Sequence, residues 1–262
     1  SPYRHLDRLT RVYEYMGPAW YQREIEIPAA WKGKRIFLYF ERTHWLSSVY
    51  VGKEEVSKID YISIPHNHEL TQWLHPGKKE LITFCIDNRY QYDTHKWDHA
   101  HSEFTQINWN GVLGEIKLVA VDPVYVDDMQ VYPDIKNKSI KVKMTVRNCT
   151  EHTASGKISF HVTGKDYRLQ KEVPVTVTDS ITYIEEEMFL GKDIHLWNEF
   201  HPNLYTLDCK LTSSVEGQSY AHEKSTTFGM REVEAGEDHI ILNGEPIHLR
   251  GTVENAVFPK TG

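Results

Sequence analysis

The sequence predicts an all-β protein built from two sandwiches in series, and three observations lead to this prediction. Nearly every periodic segment alternates apolar and polar residues, as strands with one buried face do. These segments recur about every ten residues between Gly, Pro, Asn or Asp, with no helical run between them. The length of 262 residues gives room for two domains, since one domain usually takes about 100–200 residues.

The first predicted domain spans residues 1–121 and is rich in Trp and His. Its predicted strands, each bounded by turn-forming residues, are Trp20–Ile27, Arg35–Phe40, Ser48–Val51, Glu80–Ile86 and Gly114–Val119. A proline restricts the residue before it to extended conformations, so the Asp122-Pro123 step predicts a linker that opens the next domain.

The second predicted domain spans residues 122–231 and alternates Val, Ile, Thr and Lys, as immunoglobulin-like sandwiches do. Its predicted strands are Ser139–Val146, Lys157–Val162, Glu172–Val177, Thr182–Met188 and Leu204–Leu211. Residues 232–262 form a third segment. There the Asn243-Gly244 pair predicts a hairpin turn, followed by a strand that carries Ile247 and Leu249.

One connection in the first domain, Asp87–Asn110, is too long and polar to be a strand. Long connections in compact domains are usually functional or disordered, and the tryptophans of this one argue against disorder. Its candidate substrate-binding residues are Trp97, Asp98, His99, His101, Glu103, Asn108, Trp109 and Asn110. Three interpretations stay open: a polar rim for sugar hydroxyls with a Trp face for the ring, a structural loop, or metal ligands.

Composition excludes several classes of function. A formal net charge of -7 argues against nucleic acid as the main partner. No apolar run approaches the ~20 residues of a membrane-spanning helix, so no membrane partner is expected. The sequence has no nucleotide-binding glycine motif and no serine or cysteine nucleophile motif. We therefore predict no catalytic residue, cofactor or metal in this chain, and buried thiols for Cys85, Cys149 and Cys209.

Several motifs together resemble glycoside hydrolase family 2, the β-galactosidase and β-glucuronidase family. Residues 17–41, GPAWYQREIEIPAAWKGKRIFLYFE, are similar to the start of its sugar-binding domain, and LTQWLHPGKKELITFCIDN at 70–88 to the end of that domain. LWNEFHPNLYTLDCKL at 196–211 resembles a signature of its immunoglobulin-like domain. FGMREVEAGEDHIILNGEPIHLRG at 228–251 resembles the junction into its catalytic (β/α)8 barrel.

The resemblance implies a jelly-roll sugar-binding-type domain, an immunoglobulin-like sandwich and the first strand of a barrel that is otherwise absent. The parent would be a retaining glycosidase whose catalytic glutamates lie on later barrel strands, so this chain alone would be inactive. In the intact enzyme Arg250, Glu254 and Asn255 would approach substrate. The His-Glu pair that commonly follows the first barrel strand in better-known members is missing here.

The expected partners are a poly- or oligosaccharide and the missing catalytic barrel, and a homo-oligomer stays open. Bacterial polysaccharide-degrading relatives are often exported, so the resemblance suggests a periplasmic or extracellular parent. A different interpretation is a stand-alone carbohydrate-binding or adhesin-like double sandwich. A purely structural cell-surface protein is a third.

Overall fold

The computed structural model describes residues 15–62, 64–89 and 109–252, in which regular structure is almost entirely β-strand. The strands are β1 Pro18–Glu26, β2 Arg35–His44, β3 Leu46–Val51, β4 Glu54–Asp60, β5 His66–Glu69, β6 Lys79–Asp87, β7 Gly111–Val121, β8 Val124–Asp134, β9 Ser139–Asn148, β10 Ala154–Thr163, β11 Arg168–Val177, β12 Ile181–Phe189, β13 Tyr205–Val215, β14 Gln218–Phe228, β15 Val233–Ala235, β16 Ile240–Leu242 and β17 Glu245–Ile247. The short segment Ala29–Trp31 is a 3-10 helix. Within these ranges no helix is long and apolar enough to cross a membrane. The all-β prediction is confirmed.

The described residues divide into two compact units between Ala120 and Val121. The first unit is a jelly-roll sandwich of two sheets, with strand orders β1-β6-β3-β4 and β5-β2-β7. Alternate side chains of both sheets point inward and form one apolar core. The core consists of Ile27, Ile36, Leu38, Phe40, Val49, Leu70, Leu74, Ile82 and Ile86.

The second unit, residues 121–251, contains the immunoglobulin-like sandwich, with strand orders β12-β9-β8 and β11-β10-β13-β14. Its core is larger and draws on both sheets, for example Val142 and Val146 from β9 and Phe160 from β10. The hydroxyl of Tyr205, at the start of β13, accepts a hydrogen bond from the backbone N–H of His195 at 2.8 Å. This contact is the tyrosine corner typical of such sandwiches, and it fixes the loop before β13.

A third, small sheet follows with the order β15-β16-β17. Its second turn is made by Asn243 and Gly244, both with positive φ, at 54° and 87°. That geometry is the type I′ hairpin turn which an Asn-Gly pair favours. The expected strand through Leu249 is wrong, because β17 ends at Ile247. Ile247 already pairs with Ile240, the first residue of β16, so the ladder has no further partner there.

Other differences from the sequence predictions concern polar strands and one cysteine. Strands β4, β5, β8, β14 and β15 were not among the strands predicted from alternation. Cys85 and Cys209 are buried as expected, but the prediction is wrong for Cys149, which is exposed. Cys149 follows the last residue of β9, where the inward alternation of that strand has ended. The division of the chain at residue 232 stays a prediction.

Two fully buried histidines on β5, His66 and His68, form a hydrogen-bonded chain inside the first sandwich. The Ser47 hydroxyl lies 2.6 Å from Nδ1 of His66 and 2.8 Å from Nε2 of His68. At one end, Nε2 of His66 lies 2.8 Å from the carbonyl oxygen of Tyr61. At the other end, Nδ1 of His68 lies 2.8 Å from the Ser57 hydroxyl.

One assignment of protons satisfies the whole chain with both rings neutral. The Tyr61 carbonyl can only accept, so Nε2 of His66 donates to it and Nδ1 accepts from Ser47. Ser47 then accepts from Nε2 of His68, whose Nδ1 accepts from Ser57. Burial lowers the pKa of His68 to about 3, with a smaller contribution from His66. Burial likewise lowers the pKa of His66.

These pKa shifts predict that acid destabilises the first unit before its carboxylates titrate. A histidine kept neutral by burial stabilises the fold fully above its unfolded pKa of about 6.5, and that stability is lost as the pH falls. Between pH 6.5 and 5 we expect the free energy of unfolding to fall by up to about 1.4 kcal/mol per pH unit for each histidine. Urea unfolding measured across this range would show it.

The His68→Gln variant should give a shallower pH slope than the wild-type chain, because one titrating ring is removed. His75→Gln is the matched control, since His75 is exposed and pairs only with Glu80 among the described residues. Equal slopes for the wild type and His68→Gln would contradict the account. His222 in the second unit also has a pKa lowered by burial, so its contribution remains in every variant.

Candidate functional site

The structure describes three of the predicted site residues, Trp109, Asn110 and Arg250. The other eight lie outside the described residues: Trp97, Asp98, His99, His101, Glu103, Asn108, Glu254 and Asn255. Trp109 and Asn110 stand at the end of the Asp87–Asn110 connection, where it enters β7. Arg250 is exposed and follows β17.

The two ends of the Asp87–Asn110 connection are held together by one buried amide, that of Asn88. Its Nδ2 donates to the carbonyl oxygens of Trp109 at 3.1 Å and Tyr15 at 2.8 Å. Its Oδ1 accepts from the backbone N–H of Gly17 at 2.9 Å. A single side chain therefore fixes the start of β1 and both ends of the connection. This explains in physical terms why Asn follows Asp at the end of β6.

Asp87, the last residue of β6, binds the exposed Arg89 at the start of the connection. Its Oδ1 accepts from the backbone N–H and from Nε of Arg89, both at 3.0 Å. Burial alone would raise the pKa of Asp87, but the hydrogen bonds and charge of Arg89 outweigh it, and the net pKa is lowered. The Asp87 carboxylate is therefore ionised and ion-paired with Arg89. This pairing suits a role in positioning Arg89 better than a role in proton transfer.

Trp109 and Asn110 also make contacts that hold the two ends of the connection together. These contacts and those of Asn88 are called here the Asn88 clamp. Nδ1 of the buried His44 donates to the Trp109 carbonyl at 2.8 Å, and the two rings lie 4.9 Å apart between centroids. Asn110 Nδ2 donates to the carbonyls of Gly17 at 2.8 Å and Ile86 at 3.3 Å. Within the described part of the chain, the buried Asn110 Oδ1 has no hydrogen-bond partner. These contacts give both residues a structural role, and contact with a sugar stays a prediction.

The candidate at the other end of the chain, Arg250, follows a hairpin tied to the loop Leu196–Tyr205. Asn243 makes this connection, called here the Asn243 tie. Its Nδ2 donates a hydrogen bond to the Trp197 carbonyl at 2.9 Å, and its Oδ1 accepts one from the Glu232 N–H at 2.9 Å. The Arg231 guanidinium lies 4.6 Å above the Trp197 ring. A Cβ on Gly229 would come within 2.9 Å of Trp197, so only glycine fits beside the indole.

The loop itself is shaped by two asparagines. Asn198 Oδ1 accepts from the backbone N–H groups of Phe200 at 3.0 Å and His201 at 2.7 Å. Asn203 Nδ2 donates to the Leu196 carbonyl at 2.9 Å. The Leu-Trp…Pro-Asn-Leu-Tyr motif thus encodes a turn and its anchors. A groove of about 690 Å³ beside it is lined by Asp166, Asp193, His195, Leu196, His201, Asn203 and Leu204, among others.

The described residues offer little for redox or metal chemistry. Among them, no three His, Cys, Asp or Glu side chains converge as ligands. The buried thiol of Cys209 has its pKa raised to about 12 by burial, which makes it unreactive. No sequence pattern marks His44, which binds the Trp109 carbonyl, whereas Asn88 ends one of the family-like motifs.

Comparison with known proteins relates part of the chain to one family. Residues 124–231 match the family described as Glycosyl hydrolases family 2, so the chain carries a domain of this family. The resemblance drawn from the sequence motifs is confirmed. Among curated relatives, a β-galactosidase of Thermoanaerobacter pseudethanolicus is 24% identical over 95% of this chain and 33% of its own length. A β-glucuronidase of Sus scrofa is 22% identical over 96% of this chain and 41% of its own length.

Solved structures show the same fold. Bacteroides uniformis β-glucuronidase 2, covalently bound to cyclophellitol-6-carboxylate aziridine, aligns with a TM-score of 0.75 at 19% identity. The alignment covers 90% of this chain and 29% of that one. A family 2 member from Bacteroides cellulosilyticus aligns with a TM-score of 0.73 at 19% identity, over 94% of this chain and 32% of its own. The chain spans between about a fifth and two fifths of the length of the curated relatives it matches.

The Asn243 tie predicts a measurable loss of stability in the second unit. Asn243→Gly keeps the positive φ but removes both side-chain hydrogen bonds, and should lower the free energy of unfolding by about 1–3 kcal/mol. Asn243→Ala should cost roughly 1 kcal/mol more, because alanine is strained at φ 54°. Urea unfolding measures both differences.

Glu216→Gly is the matched control, since Glu216 also has positive φ, at 47°, but is exposed and forms only an ion pair with His152 among the described residues. By the same strain argument, it should raise the free energy of unfolding by up to about 1 kcal/mol and not lower it. If Asn243→Gly were as stable as the wild type, the tie would not hold the hairpin.

Proposed function

We propose that this chain is the non-catalytic N-terminal portion of a retaining glycoside hydrolase that acts on O-glycosidic bonds, with a β-galactosidase- or β-glucuronidase-like parent. One observation carries the proposal. Similarity to named glycosidases runs along 95% of this chain, yet covers 33% of the first such relative. The remainder of a parent of that size has ample room for a (β/α)8 barrel, which takes about 250 residues.

In the proposed parent, two carboxyl groups on the barrel perform the reaction. One carboxylic acid protonates the leaving oxygen while the other, ionised, attacks the anomeric carbon, so a glycosyl–enzyme ester forms and the aglycone departs. Water, deprotonated by the first carboxylate, then attacks the same carbon and releases the carboxylate nucleophile. Two inversions leave the anomeric configuration unchanged.

The contribution of this chain would be architectural. In the first unit, the Asn88 clamp holds the ends of a long polar connection beside the sandwich. In the second unit, the loop Leu196–Tyr205 exposes the large apolar side chains of Phe200 and Leu204, and Leu249, which follows the hairpin, is exposed as well. Exposed apolar groups of this size often mark contact surfaces. The exposed apolar side chains support the proposal that further parts of the parent pack against this loop and hairpin.

The relatives' names favour carbohydrate as the parent's substrate class. They also leave the choice between a galactoside and a glucuronide open, because both activities occur among them. We further propose an exported parent, in the bacterial periplasm or outside the cell. Export would place the enzyme in the compartment where polysaccharide substrates occur.

The proposal predicts that the 262-residue chain hydrolyses no aryl glycoside, while the longer protein that contains it does. The measurement is release of p-nitrophenol from a panel of α- and β-glycosides and glucuronides, at matched molar concentrations. Turnover by the pure 262-residue chain would contradict the non-catalytic assignment. Absence of turnover by the longer protein on the whole panel would contradict the glycosidase.

A further inference from the structure

The outer face of the first sheet carries an aromatic platform that the proposed function does not use. Its six residues, called here the Trp20 face, form two rungs across β1, β6 and β3. They are Trp20, Cys85 and Ser48 in one rung, and Gln22, Thr83 and Tyr50 in the other. Residues of opposite parity, such as Phe84 and Val49, pack into the core, so the two rungs point to the outside.

Two aromatic rings meet above this face. The centroids of Trp20 and Tyr50 lie 5.5 Å apart with their planes at 42°. Their strands, β1 and β3, stand on either side of β6 and are therefore roughly 9.6 Å apart. The rings thus lean toward each other over the central strand. Cys85 and Ser48 on that outer face are only 7% and 8% exposed, whereas Trp20 is 59% exposed.

Hydrogen-bonding groups border the rings. Gln22 Nε2 donates to the Thr83 hydroxyl at 2.9 Å, and the Tyr50 hydroxyl donates to Glu55 at 2.6 Å. The Glu55 hydrogen bond raises the pKa of Tyr50, which keeps the phenol protonated. An exposed carboxamide, a hydroxyl and a carboxylate thus stand beside an indole face. This combination matches a pyranose, which has one apolar C–H face and a rim of hydroxyls.

Charge favours a neutral sugar over an acidic one. Two of the cations near this face are engaged by carboxylates: Lys79 lies 3.5 Å from Glu24, and Arg89 binds Asp87. Glu55 contacts the platform directly through the Tyr50 hydroxyl and would repel a uronate, whereas Lys58 stands opposite Ser48 on β4, with β3 and β6 between it and Trp20. A protein partner is the competing occupant, but a platform of two rings with a polar rim is small for a stable protein interface.

We propose that the Trp20 face binds a neutral pyranose oligosaccharide, as a secondary surface that holds substrate polymer away from the catalytic barrel. The proposal rests on the proposed function for its ligand class only. It differs from the predicted sugar contact of the Asp87–Asn110 connection, because its residues lie on the sheet face. The indole of Trp20 stacks on the sugar ring, and Gln22 and Glu55 bind hydroxyls.

The test is calorimetric titration of the 262-residue chain with neutral β-linked hexasaccharides of glucose, galactose, mannose and xylose, and with an oligogalacturonide. We expect at least one neutral hexasaccharide to bind and the oligogalacturonide to bind more weakly. Trp20→Ala should raise the Kd about tenfold or more, and Trp20→Phe should restore part of the loss. Unchanged thermal unfolding of both variants is expected, because Trp20 is mostly exposed.

Tyr183→Ala is the matched control, since Tyr183 is 78% exposed on β12 of the other unit, and it should leave the Kd unchanged. Binding lost in Trp109→Ala but kept in Trp20→Ala would place the sugar at the connection and overturn the proposal. Absence of binding to any hexasaccharide would also overturn it, without touching the turnover test of the longer protein. A dimer that Trp20→Ala converts to a monomer would make the face a protein contact and overturn it as well.

Discussion

Most strands of the two sandwiches place alternate side chains in a core and the intervening ones outside, and this constraint organises the rest of the molecule. The apolar side of β1 and β6 fills the first core, which obliges Trp20, Gln22 and Thr83 to stand on the outer face. A shift of one residue in register would exchange the two sets. The proposed sugar platform is therefore a consequence of the same pairing that stabilises the fold.

The buried histidines His66 and His68, which fall on inward positions of β5, have their hydrogen bonds completed by neighbouring hydroxyls and a carbonyl. The chain from Ser57 through His68, Ser47 and His66 to Tyr61 satisfies every donor and acceptor that it buries. Protonation of either ring breaks that assignment, since a cationic imidazole has no acceptor to offer. The clamp around Asn88 follows the same logic, because backbone groups at the loop ends find partners in one amide.

Sequence was informative where hydrophobic alternation or turn chemistry decides the structure. The Asn243-Gly244 turn and the strands at Trp20–Ile27 and Ser139–Val146 follow from such local rules. Strand β5, with the sequence HNHE, does not. Its His66 and His68 face inward, so buried and exposed residues alternate along β5 although all of its residues are polar. For Trp20 a signal did exist, because it shares parity with the polar residues of β1 rather than with its apolar ones.

The site was less predictable than the fold, since hydrogen bonds between distant segments leave no periodic trace. Asn88 contacts residues more than seventy positions away in the chain. The anchoring of Trp197 by Asn243 likewise joins segments 46 residues apart. Motif resemblance marked several of these residues without giving a reason for them, and the contacts supply it.

The proposed retaining mechanism is tested most directly by the anomeric configuration of the first product that the proposed parent protein releases. Proton NMR of a hydrolysis time course, recorded before the free sugar mutarotates, distinguishes the two outcomes. We expect the configuration of the substrate to be retained, since reaction through a covalent intermediate involves two inversions. An inverted first product would contradict the proposal that this chain is part of a retaining glycoside hydrolase.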